Sequence, residues 1–105
     1  MKREILYRMK RISERLKEKY DANTVILFGS YARGEETEDS DIDLLVIAPS
    51  NERFFDRIAS AKRLIRDLRD GLPVAPIVLT PEEAEKRRQI GDQFIMDILE
   101  NGVNI

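Results

Sequence analysis

Residues 25–46 read Val25-Ile-Leu-Phe-Gly-Ser-Tyr-Ala-Arg-Gly-Glu-Glu-Thr-Glu-Asp-Ser-Asp-Ile-Asp-Leu-Leu-Val46, and the rest of the chain is organised to hold them. The pattern is strand, Gly-Ser turn, short helical start, acidic loop, second strand. The apolar run Val25 to Phe28 breaks at Gly29-Ser30, where a glycine lets the backbone turn sharply and approach a ligand with no Cβ in the way. Ser30 then falls at a helix start, where a hydroxyl and free backbone N–H groups face outward, an arrangement suited to a phosphate.

Asp41 and Asp43 come next. Side chains alternate along a strand, so these two share one face while Ile42, Leu44 and Val46 take the other. Their Cα atoms fall roughly 6.5 to 7 Å apart at ordinary strand rise. Two like charges at that range repel by on the order of 2 kcal/mol at an effective dielectric of about 20, a penalty that a cation removes. Glu35, Glu36, Glu38 and Asp39 precede the pair, with no basic residue between Glu35 and Asp43. Mg²⁺ is held by one or two carboxylates plus substrate phosphates, and this stretch offers both halves of that arrangement. Phosphoryl or nucleotidyl transfer is the chemistry it suggests. A Gly-Ser turn or an Asp-x-Asp alone is an ordinary loop or a solvated face; the two together, in strand-turn-strand context, are specific.

Gly29-Ser30 followed after ten residues by Asp41-Ile42-Asp43 resembles the signature of the DNA polymerase beta-like nucleotidyltransferase superfamily. Gly-Ser-Tyr-Ala-Arg-Gly is similar to its minimal (MNT) branch, which includes the antitoxins of HEPN/MNT toxin–antitoxin pairs. The later Leu72-Pro73-Val74 and Leu79-Thr80-Pro81-Glu82-Glu83 segments extend the resemblance over most of the chain. It implies an α+β nucleotidyltransferase fold, a small mixed sheet with helices packed on it in two layers. It also implies Asp41 and Asp43 as catalytic and metal-binding residues for Mg²⁺ or Mn²⁺, and Gly29, Ser30 and Arg33 as contacts for ATP. The implied reaction moves AMP onto a hydroxyl of a HEPN-type toxin, making the chain an antitoxin; a nucleotide-binding antitoxin that acts by contact alone is the alternative. For Ser30 the competing role is a helix cap. For Arg33 it is an ion pair to Glu36 or Asp39, slightly the favoured reading, and Tyr31 is open between core and site.

In the resembled family a third carboxylate on the next strand completes the metal site or serves as base. Aligning on Pro73-Val74 and Leu79-Thr80-Pro81 puts Ala75 at that position, and no Asp or Glu lies between Val74 and Leu79. Ala75 neither binds a metal nor takes a proton. Glu38 or Asp39 could substitute only if the loop folds inward.

At 105 residues, one domain spanning 1–105 is expected, burying roughly 60–70 % of its unfolded surface. With no Cys and no His, disulfides, thiolate sites and imidazole ligands are excluded, which again favours a hard, oxygen-bound metal. The net charge of −2 is uneven: residues 1–19 carry eight Lys/Arg against three Glu. A solvated helix face accounts for this better than nucleic-acid contact. No apolar h-region or membrane-length run is present, so a cytoplasmic location is expected. Homo- or hetero-oligomer formation is left open.

Ile5, Met9, Ile12 and Leu16 form the stripe of an amphipathic helix ending near Tyr20. Strands are expected over Thr24–Phe28 and Asp41–Ile47, the latter stopped by Pro49. Ser50 and Asn51 read as caps of a helix carrying Phe54, Ile58, Ala61, Ile65 and Leu68 on one face and ending at Asp70-Gly71. Val74–Leu79 contains Pro76 and reads as an edge or bulged strand. Thr80-Pro81-Glu82-Glu83 is a capping box opening a helix that pauses at Gly91 and resumes to Gly102, with Val103 to Ile105 adding a short strand.

Overall fold

The computed structural model describes residues 2–105. In chain order it contains α1 (Arg3–Lys19), β1 (Thr24–Phe28), α2 (Ser30–Arg33), β2 (Ile42–Ile47), α3 (Phe54–Leu64), α4 (Arg66–Arg69), β3 (Val74–Leu79), α5 (Pro81–Gln89), α6 (Gln93–Asn101) and β4 (Val103–Asn104). The strands form one mixed sheet in the order β3-β2-β1-β4, with β1 antiparallel to β2 and β4, and β2 parallel to β3. This is the small mixed sheet with packed helices that the sequence implied.

Strand alternation divides the hydrophobic residues between two cores. Val25, Leu27, Ile42, Leu44, Val46, Val74 and Val78 face Met9, Ile12 and Leu16 of α1 and Ala61 of α3. Ile26, Leu45 and Leu79 point the other way, against Ala84 of α5 and Ile95 and Ile98 of α6. Tyr31, left open by its sequence position, packs against the first core. Gly102 lets α6 end directly on β1: a Cβ there would lie within 3.0 Å of Ile26 Cγ2 and of the Ile98 carbonyl. β4 then pairs through Leu27↔Val103 and Ile26↔Asn104.

Arginines tie the helices together. Arg15 donates to the Leu64 carbonyl at 2.8 Å and to Asp67, while Arg8 reaches the carbonyls of Leu68, Arg69 and Asp70. Both thereby satisfy acceptors that helix C-termini leave unpaired. The buried Arg57 donates to the Glu52 carbonyl at 2.9 Å and to Glu83 at 2.6 Å, joining α3 to α5.

Two local readings change, and a third is narrowed. The helix after Pro49 begins at Phe54 behind an extended Arg53, and Ser50 instead accepts the Glu52 N–H at 3.0 Å, closing a turn ahead of the helix. Ser50 and Asn51 therefore do not cap α3. The single helix expected to Asp70-Gly71 is interrupted at Ile65 (φ −109°, ψ 5°), where Arg15 takes the Leu64 carbonyl, and α4 follows. Pro76 lies on an edge strand as expected, but without a bulge, since β3 keeps continuous register with β2 from Val74 to Leu79. The Thr80–Glu83 capping box is present in both directions, at 2.8 and 3.2 Å.

Candidate active site

Three facing residues define the site. Asp43 pairs with Phe28 across the antiparallel ladder and with Ala75 across the parallel one. Lateral partners project to the same side of a sheet, so Phe28, Asp43 and Ala75 stand abreast on the α5–α6 face, all partly buried. Leu45 and Leu79, farther along that face, are buried under α5 and α6. Asp43 and Ala75 thus mark its open end. Asp41, exposed, lies just before β2 and two residues from Asp43.

Burial, foremost, and the charge of Asp41 push the Asp43 carboxyl above its ordinary range, with the Arg33 charge opposing them. This is the electrostatic state that a cation relieves. Gly29 occupies a backbone conformation that only glycine adopts freely (φ 74°, ψ −154°), and a Cβ there would fall closer than 3.0 Å to Asp43 Oδ2. The acid thus sits directly on the turn. Gly29 is itself the N-cap of α2, so Ser30 is the first helical residue and its hydroxyl does not serve as the cap.

The ion pair read for Arg33 has a different partner: its Nε donates to Glu35 Oε2 at 3.1 Å. Gly34, left-handed at φ 71°, turns the chain so that Glu35 comes back beside Arg33. Glu38 and Asp39 are exposed in a turn closed by Thr37 N–H to Ser40 Oγ (2.9 Å) and Ser40 N–H to the Thr37 carbonyl (3.1 Å). They do not fold inward. Among the described residues no group of three or more His, Cys, Asp or Glu side chains could hold a metal ion. Two hard carboxylates do fit a cation whose remaining ligands are substrate phosphates and water.

A cavity of about 390 Å³ opens beside this site between α2 and α6, lined in part by Phe28, Gly29, Arg33, Asp97 and Asn101. Phe28 meets Phe94 edge-on, with centroids 5.6 Å apart, and Asn101 donates to Asp97 at 2.7 Å. The chain gives no local signal for this cavity, because it arises where α6 crosses to the end of β1. No helix among the described residues is long and apolar enough to cross a membrane.

The fold agrees with comparison to known proteins. Residues 9–105 match the nucleotidyltransferase domain family, and the chain belongs to it. It is similar to several Methanocaldococcus jannaschii proteins named as candidate protein adenylyltransferases. MJ1379 is 57% identical over 44 residues, 42% of this chain and 41% of that protein. This chain therefore spans less than half the length of that relative. MJ0604 is 38% identical over 90 residues, covering 83% of each chain, and MJ0141 is 33% identical over 97 residues, covering 91% of this chain and 89% of its own. Among solved structures, a chain of the toxin–antitoxin MntA–HpeT mutant shares the fold with TM-score 0.53 at 21% identity, covering 92% of this chain and 70% of that one.

Proposed function

We propose that this chain is a Mg²⁺-dependent nucleotidyltransferase that moves AMP from ATP to a hydroxyl of a HEPN-type toxin and so acts as its antitoxin. The observation that carries the reading is the seating of Asp43 on Gly29, beside Asp41, which joins a carboxylate pair to a turn fit for phosphate. In this reading Asp41 and Asp43 hold the metal, while Gly29, Ser30 and Arg33 receive the triphosphate. A bound Mg²⁺ would neutralise phosphate charge and hold the triphosphate in line with its acceptor. The Gly29 and Ser30 backbone fixes the phosphate end by N–H donation. Arg33 keeps Glu35 on its Nε and offers its terminal nitrogens to a phosphate oxygen, a charge-assisted bond. The names of the adenylyltransferase relatives favour AMP as the group moved, and the toxin–antitoxin fold relative favours a toxin as acceptor.

One observation favours a second reading. Ala75 stands beside Asp43 where a base would be useful, so a nucleotide-binding antitoxin that neutralises its partner by contact alone is the alternative. The test is incubation with a HEPN-type toxin encoded beside this chain, Mg²⁺, and ATP labelled at either the α- or the γ-phosphate. Transfer of α-label only, lost in Asp43→Asn, is expected. Neutralisation of the toxin without label would establish the contact-only reading.

A further inference from the structure

A hydroxyl that attacks phosphorus must lose its proton, and a positioned base contributes typically about 10²–10⁴-fold. The neighbours of Asp43 decide where such a base can stand. On one side is Phe28, whose ring is packed edge-on against Phe94. On the other is Ala75, partly exposed, in unbroken register with Asp43 and carrying only a methyl group. At the ordinary strand spacing of about 4.8 Å, a group above that methyl is side by side with the Asp43 carboxylate. Other nearby acids are committed or turned away: Asp97, lining the adjoining cavity, accepts from Asn101 at 2.7 Å, and the half-buried Glu36 has an interaction of its own. Glu35 is paired with Arg33, and Glu38 and Asp39 are exposed in the Thr37–Ser40 turn. Asp41 and Asp43, if they hold a cation, are not free to accept a proton.

Resting on the nucleotidyl-transfer reading, we infer that the acceptor approaches over Ala75 and brings the base with it: a carboxylate next to its acceptor hydroxyl fills the space above the Ala75 methyl. The acceptor oxygen forms a bond to the α-phosphorus of ATP, and the bond from that phosphorus to the α–β bridging oxygen breaks. The electron pair leaves with pyrophosphate. The hydroxyl proton passes to the acceptor's own carboxylate and from there to solvent. The substrate class is thus a protein hydroxyl with an adjacent acid, and Ala75 is the residue that imposes this choice.

Two synthetic peptides test this, identical except that the residue after the hydroxyl residue is Asp in one and Asn in the other, each with Mg²⁺ and α-labelled ATP. Wild type is expected to label the acidic peptide about 10-fold faster or more. Ala75→Asp is expected to abolish that preference by raising the rate on the neutral peptide, since the chain then supplies the acid itself. Ala75→Leu, which fills the space without a base, is expected to slow labelling of the acidic peptide about 10-fold or more, judged against Mg²⁺·ATP binding by the same variant. Equal rates on the two peptides in wild type, or a preference unchanged in Ala75→Asp, would overturn the inference. So would no labelling of either peptide while Mg²⁺·ATP still raises the thermal midpoint. Absence of that rise in wild type would instead remove the nucleotide reading beneath it.

Discussion

The carboxylate of Asp43 rests on the Cα of Gly29, so the turn ending β1 and the acid on β2 occupy complementary space. Gly29→Ala must meet both a left-handed backbone, which costs about 1–3 kcal/mol, and overlap with Asp43. Gly34→Ala meets a similar φ of 71° but nothing within 4 Å. Urea unfolding should therefore show Gly29→Ala as the more destabilised, with part of the difference recovered in the double variant Gly29→Ala/Asp43→Ala. Equal losses at the two glycines would mean that the carboxylate moves aside freely.

The Arg57–Glu83 pair predicts a pH dependence. The Arg57 guanidinium first, then the Thr80 N–H, hold the Glu83 carboxyl below its ordinary value of 4.5. A carboxyl with a depressed folded value contributes stability that is present above the unfolded value and lost as pH falls through the folded one. Glu83→Gln can keep the capping box but not the charge. Its stability deficit relative to wild type should be largest near neutrality and shrink as pH drops below 4.5, followed by thermal unfolding from pH 7 to pH 3. Because Glu83 is 43% exposed, the neutral-pH deficit should be modest, about 1 kcal/mol. A deficit independent of pH would assign the effect to the cap.

Ser13 is buried on the core side of α1, and its hydroxyl finds no partner among the described residues. An unpaired buried polar group costs about 1–3 kcal/mol, and alanine is also the better helix former. Ser13→Ala should raise the thermal midpoint, with a gain of about 1 kcal/mol. A fall would show that the hydroxyl is satisfied in solution.

Much of the fold was legible because its signals are local. Continuous apolar runs and flanking turn residues defined β1 and β3 to the residue, and the Thr80-to-Glu83 spacing defined the start of α5. The closeness of Asp41 and Asp43 in the chain was legible for the same reason, but the contact of Asp43 with Gly29 depends on the register of β2 against β1. Tertiary contacts were not legible. At the break at Ile65, Arg15, distant in sequence, takes the Leu64 carbonyl. The Glu35 partner of Arg33 depends on the left-handed turn at Gly34, and the α2–α6 cavity depends on where α6 docks.

The most direct test of the account is the thermal midpoint of wild type and of Asp41→Asn/Asp43→Asn, each with and without Mg²⁺·ATP. A ligand bound only to the native state stabilises it by mass action, about 2.7 kcal/mol at 100 times its Kd. Wild type should shift upward with Mg²⁺·ATP and the double variant should not, while the unliganded variant is at least as stable as wild type because the mutual repulsion of the two acids is gone. An equal shift in both proteins would place the nucleotide elsewhere and contradict the assignment of Asp41 and Asp43.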